Sequence, residues 1–136
     1  MKKLLFMGIL VFSVSMFAQK CPSGCNQLVF DPGTHVQVIA CKQIEVSLGK
    51  QSVFWGVKNL TNKKLYVDFT KVVTTVCGKV LRSKGNTYLN PGEFVGGTTF
   101  SGEITFETQV WAEDCDAKGN RISTIAYEGL TTKFVN

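Results

Sequence analysis

Few side chains in this sequence are equipped for chemistry: one histidine, His35, five cysteines, and the acids Glu113, Asp114 and Asp116 within "AEDCD". Nucleophilic catalysis needs a Ser, Thr or Cys activated by an adjacent base. His35 would have to lie against whichever cysteine is left unpaired, and no motif surrounds either. A pair of carboxylates about 5 to 9.5 Å apart can cleave a glycosidic bond, but these acids fall where a strand runs into "AKGN" and read as the solvated side of a turn. Their spacing also lacks the alternating oxygen ligands of a calcium loop. Neither "CPSGC" nor the later cysteine spacings give the paired C-x-x-C of a zinc site or that of a redox pair. Gly96-Gly97 is followed by no Lys-Ser/Thr and no helix, so it lacks the helix N-terminus that holds a phosphate. No catalytic residue, metal or cofactor is expected, and the chain reads as a non-enzyme.

Aromatic side chains are the richer signal, because Trp and Tyr dominate the energetics of interfaces. Trp55 alternates in step with Val53 and Val57 and is expected in the core. Trp111 shares the parity of Glu107 and Gln109, which puts it on a wet face; Tyr66 lies opposite the Leu65 face. Trp111, Tyr66, Tyr88 and Tyr127 are therefore the candidate interface residues, for a protein partner or for sugar stacking.

The elements that must position them begin after "MKKLLFMGILVFSVSMFAQ". Lys2 and Lys3, an apolar run from Leu4 to Phe17 and the small Ala18 read as a secretory signal peptide. The run is too short to span a membrane, which takes about 20 apolar residues. Cleavage is expected after Ala18, so residues 1–18 are the signal peptide and residues 19–136 the single mature domain. Of 15 basic residues the leader removes two, leaving a net charge of +3. The remaining lysines and arginines, among them Lys63, Lys64, Lys71, Lys79, Arg82 and Lys84, are scattered as a solvated face. They form no basic stripe of the kind that nucleic acid needs.

All five cysteines, Cys21, Cys25, Cys41, Cys77 and Cys115, fall in the exported part, where disulfides persist. A Cys77–Cys115 bond would tie two strand ends and stabilise the fold by roughly 3 to 4 kcal/mol in the loop-entropy account. Cys41 would then take Cys25 or Cys21.

Apolar residues alternate with period two between Gly, Pro and Asn punctuation, which predicts an all-β chain of seven to nine strands. In "HVQVIACKQIEVSL" the residues Ile44, Val46 and Leu48 share one face. Val53, Trp55 and Val57 are expected to meet Leu65, Val67 and Phe69 on a common inner face. The intervening "NLTNKK" reads as a hairpin turn in which Asn and Thr side chains bond the backbone, and not as a glycosylation site. "GKVLRSKGNTYL" reads as an edge strand interrupted at Lys84-Gly85, and "NPGE" as a type II turn. "EITFETQVWAE" is expected to turn Ile104, Phe106 and Val110 inward and Glu103, Glu107 and Gln109 outward.

"WGVKNLTNKKLYVDF" resembles the strand, Asn-x-Thr-Asn turn, strand element of bacterial immunoglobulin-like and fibronectin-like domains. "YLNPGEFVGG" is similar to a Leu-x-Pro-Gly-Glu turn that those domains carry later in the chain, and the "FAQ" region resembles that of small exported proteins of Bacteroidetes-type bacteria. The resemblance implies an immunoglobulin-like antiparallel β-sandwich. The Cys...Trp...Cys order of antibody domains is missing, since Trp55 precedes Cys77. The expected function is binding or structural, in the periplasm, at the outer membrane or outside the cell. It would act through another envelope or secreted protein, as a complex subunit, an adhesion module or an inhibitor or immunity-type protein. The alternative is carbohydrate binding through exposed aromatics.

Overall fold

The computed structural model describes residues 21, 23–30, 33, 35–96 and 106–136. Residues 1–18, to which the signal peptide is assigned, lie outside them, as do Glu103 and Ile104. Eight strands follow in chain order: β1 (Cys25–Phe30), β2 (Val36–Gln43), β3 (Lys50–Asn59), β4 (Leu65–Thr75), β5 (Val80–Leu89), β6 (Phe94–Gly96), β7 (Glu107–Trp111) and β8 (Ile122–Phe134). They form two antiparallel sheets packed as a β-sandwich. One is ordered β1-β2-β3, with β6 and β7 sharing the far edge of β3; the other is β5-β4-β8. Among the described residues no helix is long and apolar enough to cross a membrane.

The inner rows are the alternating residues of the sequence. Val53, Trp55 and Val57 of β3 and Leu65, Val67 and Phe69 of β4 are all fully buried. Trp55 and Phe69 bring their ring centroids to 6.2 Å across the layer, and the Trp55 indole N–H donates to Thr108 Oγ1 at 3.1 Å, so the buried ring keeps its one polar atom satisfied. Phe106 and Val110 complete this core from the β7 side, while Glu107 and Gln109 face outward, half-buried.

The expected β3–β4 hairpin does not form. β3 pairs with β2, β6 and β7, whereas β4 pairs with β5 and β8. "NLTNKK" therefore carries the chain from one sheet to the other. Period-two alternation specifies which face is buried but not which neighbour supplies the hydrogen bonds, and an arch between sheets satisfies the same pattern as a hairpin.

The arch is built on Asn59. Its side chain is buried: Nδ2 donates to the carbonyls of Lys63, Leu89 and Asn90 at 2.8, 3.2 and 3.0 Å. Oδ1 accepts from the Thr61 amide and hydroxyl at 2.9 and 2.7 Å. The local side-chain bonding expected of this sequon is present, and it leaves the Asn59 amide no room for a sugar.

Three further expectations change. Strand β2 stops at Gln43, so Ile44 and Leu48 are exposed instead of joining a buried face with Val46. Strand β5 runs without a break through Lys84-Gly85, because the Phe69 ring occupies the space over Gly85: a Cβ there would lie 2.9 Å from its Cζ. Lys71, expected on a solvated face, falls on the inner row of β4 and is buried, its ammonium 5.7 Å from the Phe106 ring centroid. "NPGE" does close as a turn, the Glu93 amide donating to Asn90 O at 3.0 Å.

Two disulfides staple the sandwich, Cys77–Cys115 and Cys21–Cys41, which fits maturation in an oxidising compartment. Cys25, a candidate for the second bond, is instead a free thiol. Its register partner on β2 is Gln43, and Cys41 faces Gln27. Cys25 and Cys41 are thus diagonal neighbours, whose spacing of about 7 to 8 Å exceeds the reach of a disulfide. Cys21, just outside β1, is free to reach Cys41.

Candidate functional site

The candidate residues do not form one surface. Trp111 ends β7, paired with Lys50 at the start of β3, whereas Tyr66 starts β4 at the opposite end of the sandwich. Tyr127 is half-buried, packed edge-on against Phe30 with centroids 5.4 Å apart.

At the Tyr66 end the structure assembles a groove. Strand register sets Tyr66 opposite Tyr88 on β5 and Lys133 on β8, and the two tyrosine rings approach to 4.8 Å. Together with Phe134, Val135 and Asn136 they line an open cavity of about 510 Å³. Phe134 in turn packs against His35, with ring centroids 4.8 Å apart and planes tilted by 50°. The arch adds two ammonium groups: Lys64 stands 5.7 Å from the Tyr88 centroid and Lys63 5.5 Å from that of Phe134. Cations over ring faces are attracted by the ring quadrupole. Among the described residues Lys63, Lys64 and Lys133 pair with no carboxylate. The groove therefore offers apolar faces and unneutralised positive charge together. Chemically, that suits recognition of a ligand with both flat or apolar groups and anionic ones.

Tyr66 and Tyr88 are legible in the sequence as candidate contact residues, whereas Phe134 and the three lysines are not. Their convergence depends on β8 returning beside β4, which no local pattern announces.

The other chemistry-bearing groups are engaged in structure. Burial pushes the Glu107 carboxyl up, but hydrogen bonds from Ser52, Gln109 and Lys50 outweigh it and hold its pKa below the usual range. Ser52 Oγ donates to it at 2.7 Å and Lys50 Nζ stands at 3.3 Å. Asp114 is depressed first by Lys79, at 2.7 Å, and it also accepts from the Trp111 amide at 3.1 Å. Asp114 thus caps a turn while Glu113 and Asp116 stand exposed beside it, as the run's position predicts. Burial pushes the Cys25 thiol up, away from the thiolate that would be nucleophilic.

Trp111 is 39% exposed. Its indole N–H donates to Gln109 Oε1 at 3.1 Å, and its ring lies 5.9 Å from Lys50 Nζ and against Gly49.

These features define a disulfide-stapled, two-sheet antiparallel β-sandwich with an aromatic, lysine-rimmed groove at one end. No protein-family model and no curated protein matches the chain. Among solved structures it is similar to the crystal structure of a DUF1425 family member from Shewanella sp. pv-4. That likeness has 11% sequence identity and a TM-score of 0.45, and covers 81% of this chain and 94% of the other.

Proposed function

We propose that this is an exported, non-enzymatic binding protein of the cell envelope with an immunoglobulin-like sandwich, which holds another protein through the Tyr66–Tyr88–Phe134 groove. One observation carries the reading: two tyrosines in ring contact and a phenylalanine line an open groove whose rim carries three unpaired lysines. Tyrosine supplies large contact area with little conformational entropy to lose, and rim charges steer the encounter with a complementary partner. An acidic segment carrying apolar side chains meets both requirements.

The groove also favours a second reading, an acidic glycan, because several aromatic faces stand beside polar groups in one cleft. The two separate in a single experiment. A photo-crosslinking amino acid replaces Tyr88, and adducts from the native envelope are identified by mass spectrometry. A discrete foreign protein crosslinked at position 88, and not from a control position such as Lys118, supports the first reading. Polysaccharide-linked product supports the second, and no adduct at position 88 removes both.

A further inference from the structure

At the end of the sandwich away from the groove, a two-residue turn joins Ser47 to Lys50. The Ser47 amide donates to Lys50 O at 2.8 Å and the Lys50 amide to Ser47 O at 3.1 Å. Its two central residues are Leu48 and Gly49, at φ 56° and 83°. Positive φ at both positions marks a type I′ turn, where Asn, Asp and Gly are favoured. Leu48 is the sole non-glycine residue with positive φ among the described residues, and its side chain is 90% exposed. A leucine in this place is unfavourable for the backbone and gains no burial within the fold. Strain of this kind that persists in a structure points toward function.

The tip is also held firmly. Buried Arg121 donates to Gly49 O at 2.9 Å, Val110 O at 3.1 Å and Ala117 O at 2.8 Å. The Trp111 ring backs Gly49, with Cζ3 3.7 Å from where a Cβ would stand. Leu48 is therefore a preorganised apolar knob. The loops at this end carry three exposed acids, Glu45, Glu113 and Asp116, and one exposed base, Lys118, unpaired among the described residues; Lys50 and Lys79 are paired with Glu107 and Asp114, and Arg121 is buried. None of the three acids is in an ion pair among the described residues.

The knob and the groove lie at opposite ends of one molecule, the groove rimmed by unpaired lysines and the knob's end carrying a small excess of exposed acids. We infer that the protein associates head to tail with copies of itself, Leu48 of one copy entering the Tyr66–Tyr88–Phe134 groove of the next. This rests on the groove being a binding site and makes a second copy one of its occupants. Such a contact is heterologous: it leaves a free knob and a free groove at the two ends of every assembly, so growth does not close at the dimer unless the rotation forms a ring.

Sedimentation velocity of the purified, disulfide-bonded protein tests it. Wild type is expected to show species that grow with concentration beyond dimer and shrink at high salt, since exposed charges are screened. Leu48→Asn keeps a residue suited to positive φ, so it removes the knob without threatening the fold; association is expected to weaken by roughly 10-fold or more. Tyr88→Ala is expected to do the same from the groove side. An equimolar mixture of the two variants retains one working knob and one working groove, and should form 1:1 dimers and nothing larger. A monomer boundary for wild type up to about 1 mM, or undiminished association of Leu48→Asn, overturns the inference. Neither outcome touches the groove reading: Leu48→Asn leaves the groove intact, so a foreign protein crosslinked at position 88 persists in that background.

Discussion

Tyr66 and Tyr88 face each other directly across the β4–β5 ladder, with ring centroids 4.8 Å apart and planes tilted by 53°. Tyr66 is half-buried and Tyr88 is 58% exposed, so the pair adds a cross-strand contact while leaving one ring face open to the groove. Cross-strand aromatic pairs contribute about 0.5 to 1 kcal/mol beyond their separate burial. A double-mutant cycle of Tyr66→Ala and Tyr88→Ala, followed by urea unfolding, should return a coupling in that range. A coupling near zero would mean that the rings touch without supporting each other.

Asn59 presents a different balance. Its side chain shares two N–H donors among three carbonyls and accepts two bonds from Thr61, all within the arch that carries Lys63 and Lys64. Replacing it by Ala leaves several buried groups without partners, each costing about 1 to 3 kcal/mol. Asn59→Ala should therefore destabilise by about 2 to 4 kcal/mol. Thr61→Ala, which removes a more exposed hydroxyl, should cost about 1 kcal/mol. Equilibrium denaturation of both variants checks the order.

The inner face of the fold was legible because it depends on parity alone: Val53, Trp55, Val57, Leu65, Val67, Phe69, Phe106 and Val110 follow from alternation. What parity does not carry is strand order, so the arch at Asn59 reads as a hairpin until the hydrogen bonds are known. Ile44, Val46 and Leu48 alternate just as cleanly, yet the chain leaves the sheet at Gln43. The same limit governs the groove. Tyr66 and Tyr88 are recognisable one at a time, but their contact needs the β4–β5 register, and Lys133 and Phe134 join only through the β4–β8 pairing. Cys25 shows it most simply: two registers on β1 would read alike in sequence, and the one adopted sets it opposite Gln43.

Lys71 reads as one of the scattered solvated charges, yet strict alternation with Leu65, Val67, Phe69 and Val73 sets it on the buried row. Burial lowers its pKa from the ordinary lysine value. The unfolded chain therefore binds more protons than the folded one between the lowered folded pKa and the unfolded value of about 10.4. Stability must rise with pH across that window, and below it the cost of burying the ammonium is fully present. Lys71→Met keeps the volume and removes the charge, so it should stabilise by about 1 to 2 kcal/mol at neutral pH. The gain should shrink as pH climbs toward 10. Thermal unfolding of both proteins from pH 7 to 10 reads the sign directly; a gain that grows with pH would contradict it.

Leu48 permits the converse test, in which a substitution at an exposed site with almost no native contacts raises stability. The left-handed region costs an ordinary L-residue about 1 to 2 kcal/mol, and Asn tolerates it better. Leu48 is 90% exposed, so Leu48→Asn gives up little burial and should stabilise by about 1 kcal/mol. For a chain of this size that raises Tm by about 4 °C. Leu48→Ala separates the two contributions: it removes the apolar knob but keeps an L-residue with a Cβ at φ 56°, and should leave Tm nearly unchanged. Both variants should lose self-association equally. If Leu48→Asn proves less stable than wild type, the turn is not strained, and the leucine needs no binding role to explain it.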